Sequence, residues 1–349
     1  MNGCNKLFLC KDKYLMDLQR RINTFKKIGD YLREDFFLDQ KERINEVVVR
    51  NPWFTRSNIV AAIDAWVEKL NFEMLDAWLG PYKLNDVDEP KKILIVMAGN
   101  IPLVGFHDFL TVLILGHIVV LKMSSKDNIL IKLIIEELIK IDVLFKKRII
   151  FIDDLNNKEF DAVIATGNDN SVRYFNYYFK NIKKIIRKSR TSVALLDGAE
   201  SSVQLRGLAD DVFSYFGLGC RNVSKVFLPK GYDLNKLFDA FYDYRSIVQH
   251  TKYSNNYDYH KTICLMGGVK LIENGFLLMK EDSSLFSPVA MLYYEYYDVI
   301  DTVEDFLEKN AANIQCVVSA KHIDFGYAQQ PNLWDYADGI DTVEFLRLL

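Results

Sequence analysis

A cysteine set between glycines and a cation is the residue of this sequence best suited to chemistry. In the stretch "VFSYFGLGCRNVSKV" (212–226), Cys220 follows Gly217 and Gly219 and precedes Arg221. A thiol is nucleophilic as its thiolate, which nearby cations favour. Glycines would let a bulky acyl group or a cofactor ring approach the sulfur. Cys220 is therefore the candidate nucleophile of the chain.

The other cysteines offer no comparable setting. Cys264 and Cys316 are flanked by apolar residues and are predicted to be ordinary buried thiols, and Cys4 and Cys10 have no supporting chemistry around them. Five widely spaced cysteines without a CxxC pair argue against a disulfide framework or a structural zinc site and fit a reducing cytoplasm. We expect no metal.

Polar turns follow three predicted strands. These turns contain Asn100, then Lys122, Ser124 and Ser125, and then Thr166, Gly167 and Asn168. Ligands of open α/β sheets bind at the carboxyl ends of the strands. The alternative for each turn is local: an asparagine bonded to its own backbone, or a capping serine beside a solvated lysine. The chain has no GxGxxG and no GxxxxGK[ST], so the usual dinucleotide fingerprints are absent.

The elements that must position these residues form two lobes. The first 80 or so residues are predicted to be helical, with Ser57 or Asn58 capping one helix. Short apolar strands then alternate with helices, one of them over 101–115, which predicts an open, doubly wound parallel sheet. We expect a helical and cofactor-binding region over 1–198, a second α/β domain with the cysteine over 199–320, and a segment over 321–349 that returns to the domain junction.

Composition limits the classes of function. The net charge is −3 and no basic stripe is evident, so nucleic acid is not expected as a partner. Charged residues, Gly or His interrupt the most apolar stretches, and no membrane span is predicted. The opening "MNGCNKLFLCKDKYLMD" has only a short apolar run, unlike a signal peptide. These features together predict a cytoplasmic protein.

Several stretches, in order along the chain, resemble LuxC-type acyl-CoA reductases, which are distant members of the aldehyde dehydrogenase superfamily. They are "NPWFT" (51–55), "AGNIPLVGFHDFL" (98–110), "VLKMSSKD" (120–127), "RKSRTSVALLDG" (187–198), "YFGLGCRNVSKVFLP" (215–229) and "DFGYAQQPNLWDYADGIDTVEFL" (324–346). The resemblance spans nearly the whole chain.

The resemblance implies an aldehyde-dehydrogenase-like fold and a reductive reaction. An acyl thioester would transfer its acyl group to Cys220, and hydride transfer would release an aldehyde. Asn100 matches the asparagine that helps hold the oxyanion, together with the cysteine's own N–H. Lys122 matches the lysine on the adenosine ribose, with Ser124 beside it. The turn at Thr166, Gly167 and Asn168 matches the place of the nicotinamide half.

Three departures from the superfamily shape the expected function. Leu195 stands where aldehyde-oxidising members have the glutamate that activates water, which favours a reductase. Ser284 replaces the glutamate that grips the nicotinamide ribose. Ser125 stands where NAD-preferring members often have a glutamate, which favours NADPH, with NADH as the alternative cofactor.

Other functions and partners stay open at this point. The alternatives are an aldehyde or semialdehyde dehydrogenase working oxidatively, and an acyl-accepting carrier or scaffold subunit without hydride transfer. The acyl donor would be acyl-CoA or an acylated protein, and the resemblance suggests an acyl-protein synthetase as a partner. A homo-oligomer is expected, although the chain is shorter than most superfamily members.

Overall fold

A computed structural model describes residues 16–155 and 159–349 of the chain. The chain divides into two compact units: the first ends at Lys188 and takes in Asn332–Leu349, and the second is Ser189–Pro331. The expected boundaries at 198 and 320 differ from these limits, because the strand over 191–195 pairs within the sheet of the second unit. The opening segment with Cys4 and Cys10, on which the signal-peptide prediction rests, lies outside the described residues.

The first unit begins with helices and continues as an alternating α/β region. Its helices are α1 (Leu18–Glu34), α2 (Phe36–Asp39), α3 (Lys41–Arg50), α4 (Arg56–Val67), α5 (Phe72–Leu79), α6 (Phe106–Ile114), α7 (Leu130–Ile141) and α8 (Asp169–Tyr178). Its strands are β1 (Lys92–Val96), β2 (Ile118–Lys122), β3 (Ile149–Phe151), β4 (Ala162–Thr166) and β5 (Lys183–Arg187). Single 3₁₀ turns cover Gly80–Tyr82 and Val143–Arg148.

The strands of the first unit form one parallel sheet in the order β3-β2-β1-β4-β5. The chain winds outward from β1 to β3 on one side and then returns to β4 and β5 on the other. This reversal between β1 and β4 is the topological switch point of a doubly wound fold. The prediction of an open parallel sheet is confirmed.

Two helices of the first unit begin where the sequence analysis did not place them. The N-cap of α4 is Thr55, whose hydroxyl accepts from Asn58 N at 3.2 Å, so neither Ser57 nor Asn58 caps this helix. Helix α6 begins at Phe106 and not at residue 101. Leu103 has a left-handed φ of 57°, which no helix can include, and residues 97–105 therefore form a long turn after β1.

The second unit is a mixed sheet with helices. Its strands are β6 (Thr191–Leu195), β7 (Val223–Pro229), β8 (Ile272–Glu273), β9 (Leu278–Glu281), β10 (Met291–Tyr297) and β11 (Ile314–Val318). Its helices are α9 (Ser202–Phe213), α10 (Asn235–Phe241), α11 (Thr251–Met266) and α12 (Ile300–Lys309), with a 3₁₀ segment at Tyr242–Gln249 and a tight turn with left-handed residues at Ser214–Gly217. The strand order is β11-β6-β7-β10-β9-β8, and of the pairings among these strands only β8 with β9 is antiparallel.

The C-terminal segment belongs to the first unit, where it ends in helix α13 (Thr342–Arg347) after a 3₁₀ turn at Ala337–Gly339. A polar network anchors it: Tyr82 Oη donates to Asp341 Oδ2 at 2.6 Å and contacts Tyr336 Oη at 2.7 Å. Trp78 Nε1 donates to the same Tyr336 oxygen at 2.8 Å. Trp78 is buried, and Tyr82, Tyr336 and Asp341 are half-buried, so this network satisfies polar atoms that are partly shielded from water.

Neither a membrane-spanning helix nor a metal-binding cluster occurs among the described residues. Across 16–155 and 159–349, no helix is both long and apolar enough to cross a membrane. In the same residues, no group of three or more His, Cys, Asp or Glu side chains could hold a metal ion.

Candidate active site

Cys220 lies on a tight turn between α9 and β7, and its side chain is half-buried. Three consecutive residues before it have left-handed backbone: Tyr215 (φ 52°), Phe216 (φ 60°) and Gly217 (φ 75°). Only the glycine adopts this conformation without steric cost. Strain of this kind in two bulky residues persists only where the surroundings enforce it, and it is typical of functional sites.

Asn222 is the residue that enforces this turn. It is 2 % exposed, and its Oδ1 accepts from Gly219 N at 2.8 Å. Its Nδ2 donates to the carbonyl oxygens at the end of α9, among them Ser214 O at 2.8 Å and Asp211 O at 3.1 Å. One buried amide therefore ties the last turn of α9 to the peptide that precedes Cys220. The sequence pattern gave Asn222 no functional role.

Ser192, at the start of β6, holds the other side of the Cys220 peptide. Its hydroxyl donates to Cys220 O at 3.0 Å, and the same oxygen lies 3.0 Å from Cys316 Sγ. Burial raises the pKa of the Cys316 thiol, and Ser192 and Arg221 oppose that rise. Cys316 was predicted to be an ordinary buried thiol, but it belongs to the polar surroundings of Cys220. Nothing in the apolar strand sequences around Ser192 and Cys316 signals this.

Arg221 and Asp211 anchor the segment over 325–328 beside this turn. Arg221 Nη1 donates to Ala328 O at 3.4 Å, and its guanidinium also hydrogen-bonds to the Cys316 thiol. Asp211 is fully buried and accepts from Gly326 N at 2.7 Å and Ala328 N at 2.9 Å. The cation that the sequence places next to Cys220 therefore also holds the backbone at Ala328 beside the turn.

The Asp211 carboxyl predicts a specific pH dependence of stability. Burial raises its pKa from 3.8 to about 6. Since the native state then holds this proton more tightly than the unfolded chain, the stability contributed by the group is largest below pH 4 and falls as the pH rises through 6. We expect Asp211→Asn to remove this dependence, so the wild type should gain about 2 kcal/mol on the variant between pH 7.5 and pH 4. Urea unfolding of both proteins at several pH values measures it. Parallel pH profiles would contradict the assignment.

A small, open cavity of about 340 Å³, partly continuous with solvent, lies beside the Cys220 turn within the second unit. Its walls include Phe216 and Gly217 from the turn, Val212 from α9 and Ala290 at the start of β10. Ala290 has a left-handed φ of 66°, so strained backbone borders the cavity on two sides. Val212, Phe216 and Ala290 give it apolar walls, and Ser224 and Ser287 add polar ones.

The predicted cofactor residues of the first unit lie along one edge of its sheet. Strands β2, β1 and β4 are adjacent and parallel, with Val96 opposite Lys122 and also opposite Ala165. Their carboxyl ends therefore bring together the turns that contain Asn100, Lys122, Ser124, Ser125, Thr166, Gly167 and Asn168. Lys122, Ser124, Thr166 and Gly167 are half-buried there, whereas Asn100, Ser125 and Asn168 are exposed.

The first two of these turns pack directly on each other. A Cβ at Gly99 would lie 2.5 Å from Ser124 Oγ, so this position must be glycine for the turns to meet. Asp127, 8 % exposed, reaches across and accepts from Leu103 N at 3.1 Å. Burial raises the pKa of Asp127 to about 6. Asp127 thus fixes the turn that presents Asn100.

The third turn is explained in part by local structure. Asn168 is the N-cap of α8, and its Oδ1 accepts from Ser171 N at 3.0 Å. A Cβ on Gly167 would lie 2.6 Å from the Ser171 Cβ, so packing alone requires this glycine. Of the three predicted residues here, Thr166 is the one whose role local structure does not explain.

The residues that stand near the superfamily's water-activating glutamate are engaged elsewhere. Leu195 is buried in β6. The Glu200 carboxylate accepts from Asp197 N at 2.6 Å and Gly198 N at 3.2 Å, and Asp197 Oδ1 accepts from Ala199 N at 2.8 Å. Both carboxylates therefore stabilise their own turn.

Solved structures define the class of fold. Aldehyde dehydrogenase 21 from Physcomitrella patens, in complex with succinate, aligns with 11% identity over 95% of this chain and 80% of its own, with a TM-score of 0.66. An aldehyde dehydrogenase from Mycobacterium tuberculosis, complexed with NAD⁺, aligns with 11% identity over 90% and 76%, with a TM-score of 0.63. Aldehyde dehydrogenase C from Pseudomonas syringae, in complex with NAD⁺ and octanal, aligns with 12% identity over 81% of this chain and 68% of its own, with a TM-score of 0.59. The fold is that of the aldehyde dehydrogenase superfamily.

The sequence places the chain in one family within this superfamily. The sequence pattern of the acyl-CoA reductase (LuxC) family matches residues 16–237, and the chain belongs to that family. No curated protein matches the chain. The resemblance seen in the sequence is confirmed, and the protein is placed among the oxidoreductases of aldehyde chemistry.

Proposed function

We propose that this protein reduces an acyl thioester to an aldehyde through an acyl group held covalently on Cys220. The observation that carries the proposal is the half-buried Cys220 thiol on a strained turn, in a chain of the acyl-CoA reductase family. The turn is fixed by Asn222 and Ser192, so the sulfur is presented by a rigid backbone and not by a loose loop.

The chemistry at Cys220 has two halves. Its thiolate attacks the thioester carbonyl and forms a new C–S bond. The original C–S bond breaks, and the donor leaves as a thiolate that takes up a proton. A reduced nicotinamide cofactor, when bound, supplies the hydride that converts the acyl carbon to a thiohemiacetal. That adduct loses its C–S bond to Cys220 and leaves as the aldehyde. We propose that the Cys220 N–H stabilises the oxyanion, and the family resemblance implies the same role for the Asn100 amide. Loss of one such donor typically costs about 3 kcal/mol.

The cavity beside the turn supports an apolar acyl group as the substrate. Phe216 and Gly217, four and three residues before Cys220, line this small open cavity. Acyl-CoA is the proposed donor, with an acylated protein as the alternative, because both deliver the same thioester carbonyl. An acyl-protein synthetase is then a proposed partner.

The edge of the first sheet fits a nicotinamide cofactor. Lys122 supplies a cation and Ser124, Ser125 and Thr166 supply hydroxyls, which together suit phosphate and ribose groups. The backbone of Gly99 packs against Ser124 and the Asp127 N–H at this edge. Lys122 and Ser124 would hold the adenosine ribose, and Thr166 with Gly167 and Asn168 would face the nicotinamide half.

NADPH is the proposed form of the cofactor. Residues 122–126 include two lysines and no carboxylate, and the Asp127 side chain turns away to Leu103 N. A 2′-hydroxyl would therefore find no carboxylate acceptor in this turn, whereas a 2′-phosphate would meet cations. NADH remains the alternative to be tested.

Ser125→Glu is expected to shift the cofactor preference towards NADH. Ser125 is exposed on the proposed ribose turn, and a carboxylate there would repel a 2′-phosphate and accept from a 2′-hydroxyl. The ratio of kcat/KM for NADPH over NADH should fall by about tenfold or more. Ser57→Glu, an exposed serine on α4, is the matched control and should leave the ratio unchanged. An unchanged ratio in Ser125→Glu would place the 2′ group elsewhere.

The carboxylates near β6 support reduction over oxidation. The Glu200 and Asp197 carboxylates accept hydrogen bonds from the backbone of their own turn, and Leu195 has no basic group. None of these residues is therefore placed to activate a water molecule as a general base. An acyl group on Cys220 should then resist hydrolysis long enough to be reduced. A carrier without hydride transfer would share this feature, and cofactor consumption distinguishes it.

The proposal also covers the oligomeric state and the cellular location of the protein. We propose a homo-oligomer on the strength of the family resemblance, and a cytoplasmic location because the thiols of Cys220, Cys264 and Cys316 form no disulfides. Sedimentation of the purified protein tests the first of these.

Absorbance at 340 nm tests the proposed function directly. The full chain is mixed with NADPH, or with NADH, and a series of acyl-CoA thioesters of increasing length. Cofactor consumption that requires the thioester, with aldehyde as the product, is the expected result. If neither cofactor is consumed but intact mass shows an acyl adduct, the protein is a carrier. If no adduct forms with acyl-CoA, the thioester-reductase proposal with acyl-CoA as donor is overturned.

A further inference from the structure

We propose that Ser192 is a positioning residue for Cys220. The Ser192 hydroxyl fixes the Cys220 peptide with its one hydrogen, and Cys316 occupies the two lone pairs of the same oxygen through its thiol and its main-chain N–H. The proposal rests on the proposed function in one respect, namely that Cys220 is the nucleophile.

The count of hydrogens at Ser192 Oγ leads to this assignment. The oxygen has three neighbours: Cys220 O at 3.0 Å, Cys316 Sγ at 3.0 Å and Cys316 N at 3.2 Å. A carbonyl oxygen has no hydrogen, so Ser192 must donate to Cys220 O. A hydroxyl has one hydrogen and two lone pairs, so it must accept from the other two neighbours.

The Cys316 thiol satisfies this arrangement only when it is protonated. As S–H it donates to Ser192 Oγ, and all three contacts are complementary. A thiolate or an oxidised sulfur at this position would instead compete for the single Ser192 hydrogen. The buried surroundings of Cys316 favour the neutral thiol, in agreement with the geometry.

The Cys220 carbonyl matters because its direction fixes the peptide on which the nucleophile stands. Ser192 N also donates to Asn222 O at 3.2 Å, so Ser192 binds the chain at both ends of the segment from 220 to 222. Asn222 holds Gly219 on the other side, through Gly219 N at 2.8 Å. Ser192 itself is fully buried and has no contact that needs a substrate. Its role is therefore to orient Cys220.

Alkylation of Cys220 by iodoacetamide tests this inference without any acyl substrate. The rate at Cys220 is followed by peptide mass, which separates it from the other cysteines, over pH 6 to 9. In Ser192→Ala the rate at Cys220 should fall by about tenfold, the factor that one lost hydrogen bond can produce. Ser192→Thr keeps the hydroxyl and should restore most of the rate. Cys316→Ala should stay near the wild-type rate, because Ser192 still has its hydrogen for Cys220 O.

The control is Ser319→Ala, another buried hydroxyl of the second unit, whose partners are Lys321 N and His322 Nδ1 and not the Cys220 turn. It should leave Cys220 alkylation unchanged. If Ser192→Ala does not fold, Ser192→Cys decides, since it keeps the shape with a weaker donor and should also slow the reaction. A wild-type alkylation rate in Ser192→Ala, or in Ser192→Cys where that variant decides, overturns the inference, as does a failure of threonine to restore the rate.

This design separates the inference from the proposed function. If acyl-CoA does not acylate the wild type, the proposed function fails while the effect of Ser192 on Cys220 alkylation still stands. If acyl-CoA reduction works and Ser192→Ala alkylates normally, only the positioning role is lost.

Discussion

Cys220→Ala is expected to lose acyl-CoA-dependent NADPH consumption by about 10⁴-fold or more, the scale at which removal of a covalent nucleophile acts. No other residue of 214–222 carries a thiol. The acyl adduct should also vanish from the intact mass after incubation with acyl-CoA. The fold should survive, because Ser192 and Asn222 hold main-chain atoms of the turn that alanine retains.

Cys264→Ala is the matched control for this loss. Cys264 is also a half-buried thiol of the second unit, but it lies near the end of helix α11. Its removal should leave both consumption and the acyl adduct in place. Equal thermal stability of the two variants would show that the loss at position 220 is chemical. Activity that persisted in Cys220→Ala would overturn the assignment of the nucleophile.

Strands β1, β2 and β4 could be predicted because each is a short apolar run whose middle residues are buried. The apolar runs in "KKILIVMA" and "DAVIAT" are typical of buried strands in a parallel sheet. Because parallel strands end at the same edge, the polar turns that follow them lie along that edge. Cys220 could be singled out for a similar reason, since glycines and a cation around one thiol are uncommon in a packed core.

Other features had no signal in the sequence. Helix α11 was not predicted, because only Tyr253 and Tyr257 of its residues are buried and no apolar stripe marks it. Ser192 and Cys316 stand in apolar strands, and they become polar neighbours of Cys220 only because β6 pairs with β11 and β7. Contacts between residues more than a hundred positions apart are set by sheet topology, which local periodicity does not encode.

Asp108→Ala should lower the free energy of unfolding by about 3–5 kcal/mol, the usual cost of breaking a buried ion pair from one side. Asp108 on α6 and Arg187 at the end of β5 form a bidentate pair, with Arg187 Nη2 to Asp108 Oδ1 at 2.9 Å. Both are nearly inaccessible, at 4% and 7% exposure. Removal of the carboxylate would leave the guanidinium charged and buried with Thr342 Oγ1, at 3.2 Å, as a neutral partner.

The same change should loosen the C-terminal segment, because Thr342 begins α13 and is held through Arg187. Urea unfolding measures the loss, and limited proteolysis should cut near residue 342 earlier in Asp108→Ala than in the wild type. Glu89→Ala, which removes the exposed carboxylate 3.4 Å from Lys91 Nζ, is the control and should change little. A loss below about 1 kcal/mol in Asp108→Ala would mean that water reaches Arg187. In that case the pair could not anchor the segment, and the network of Tyr82, Tyr336 and Asp341 would have to hold it alone.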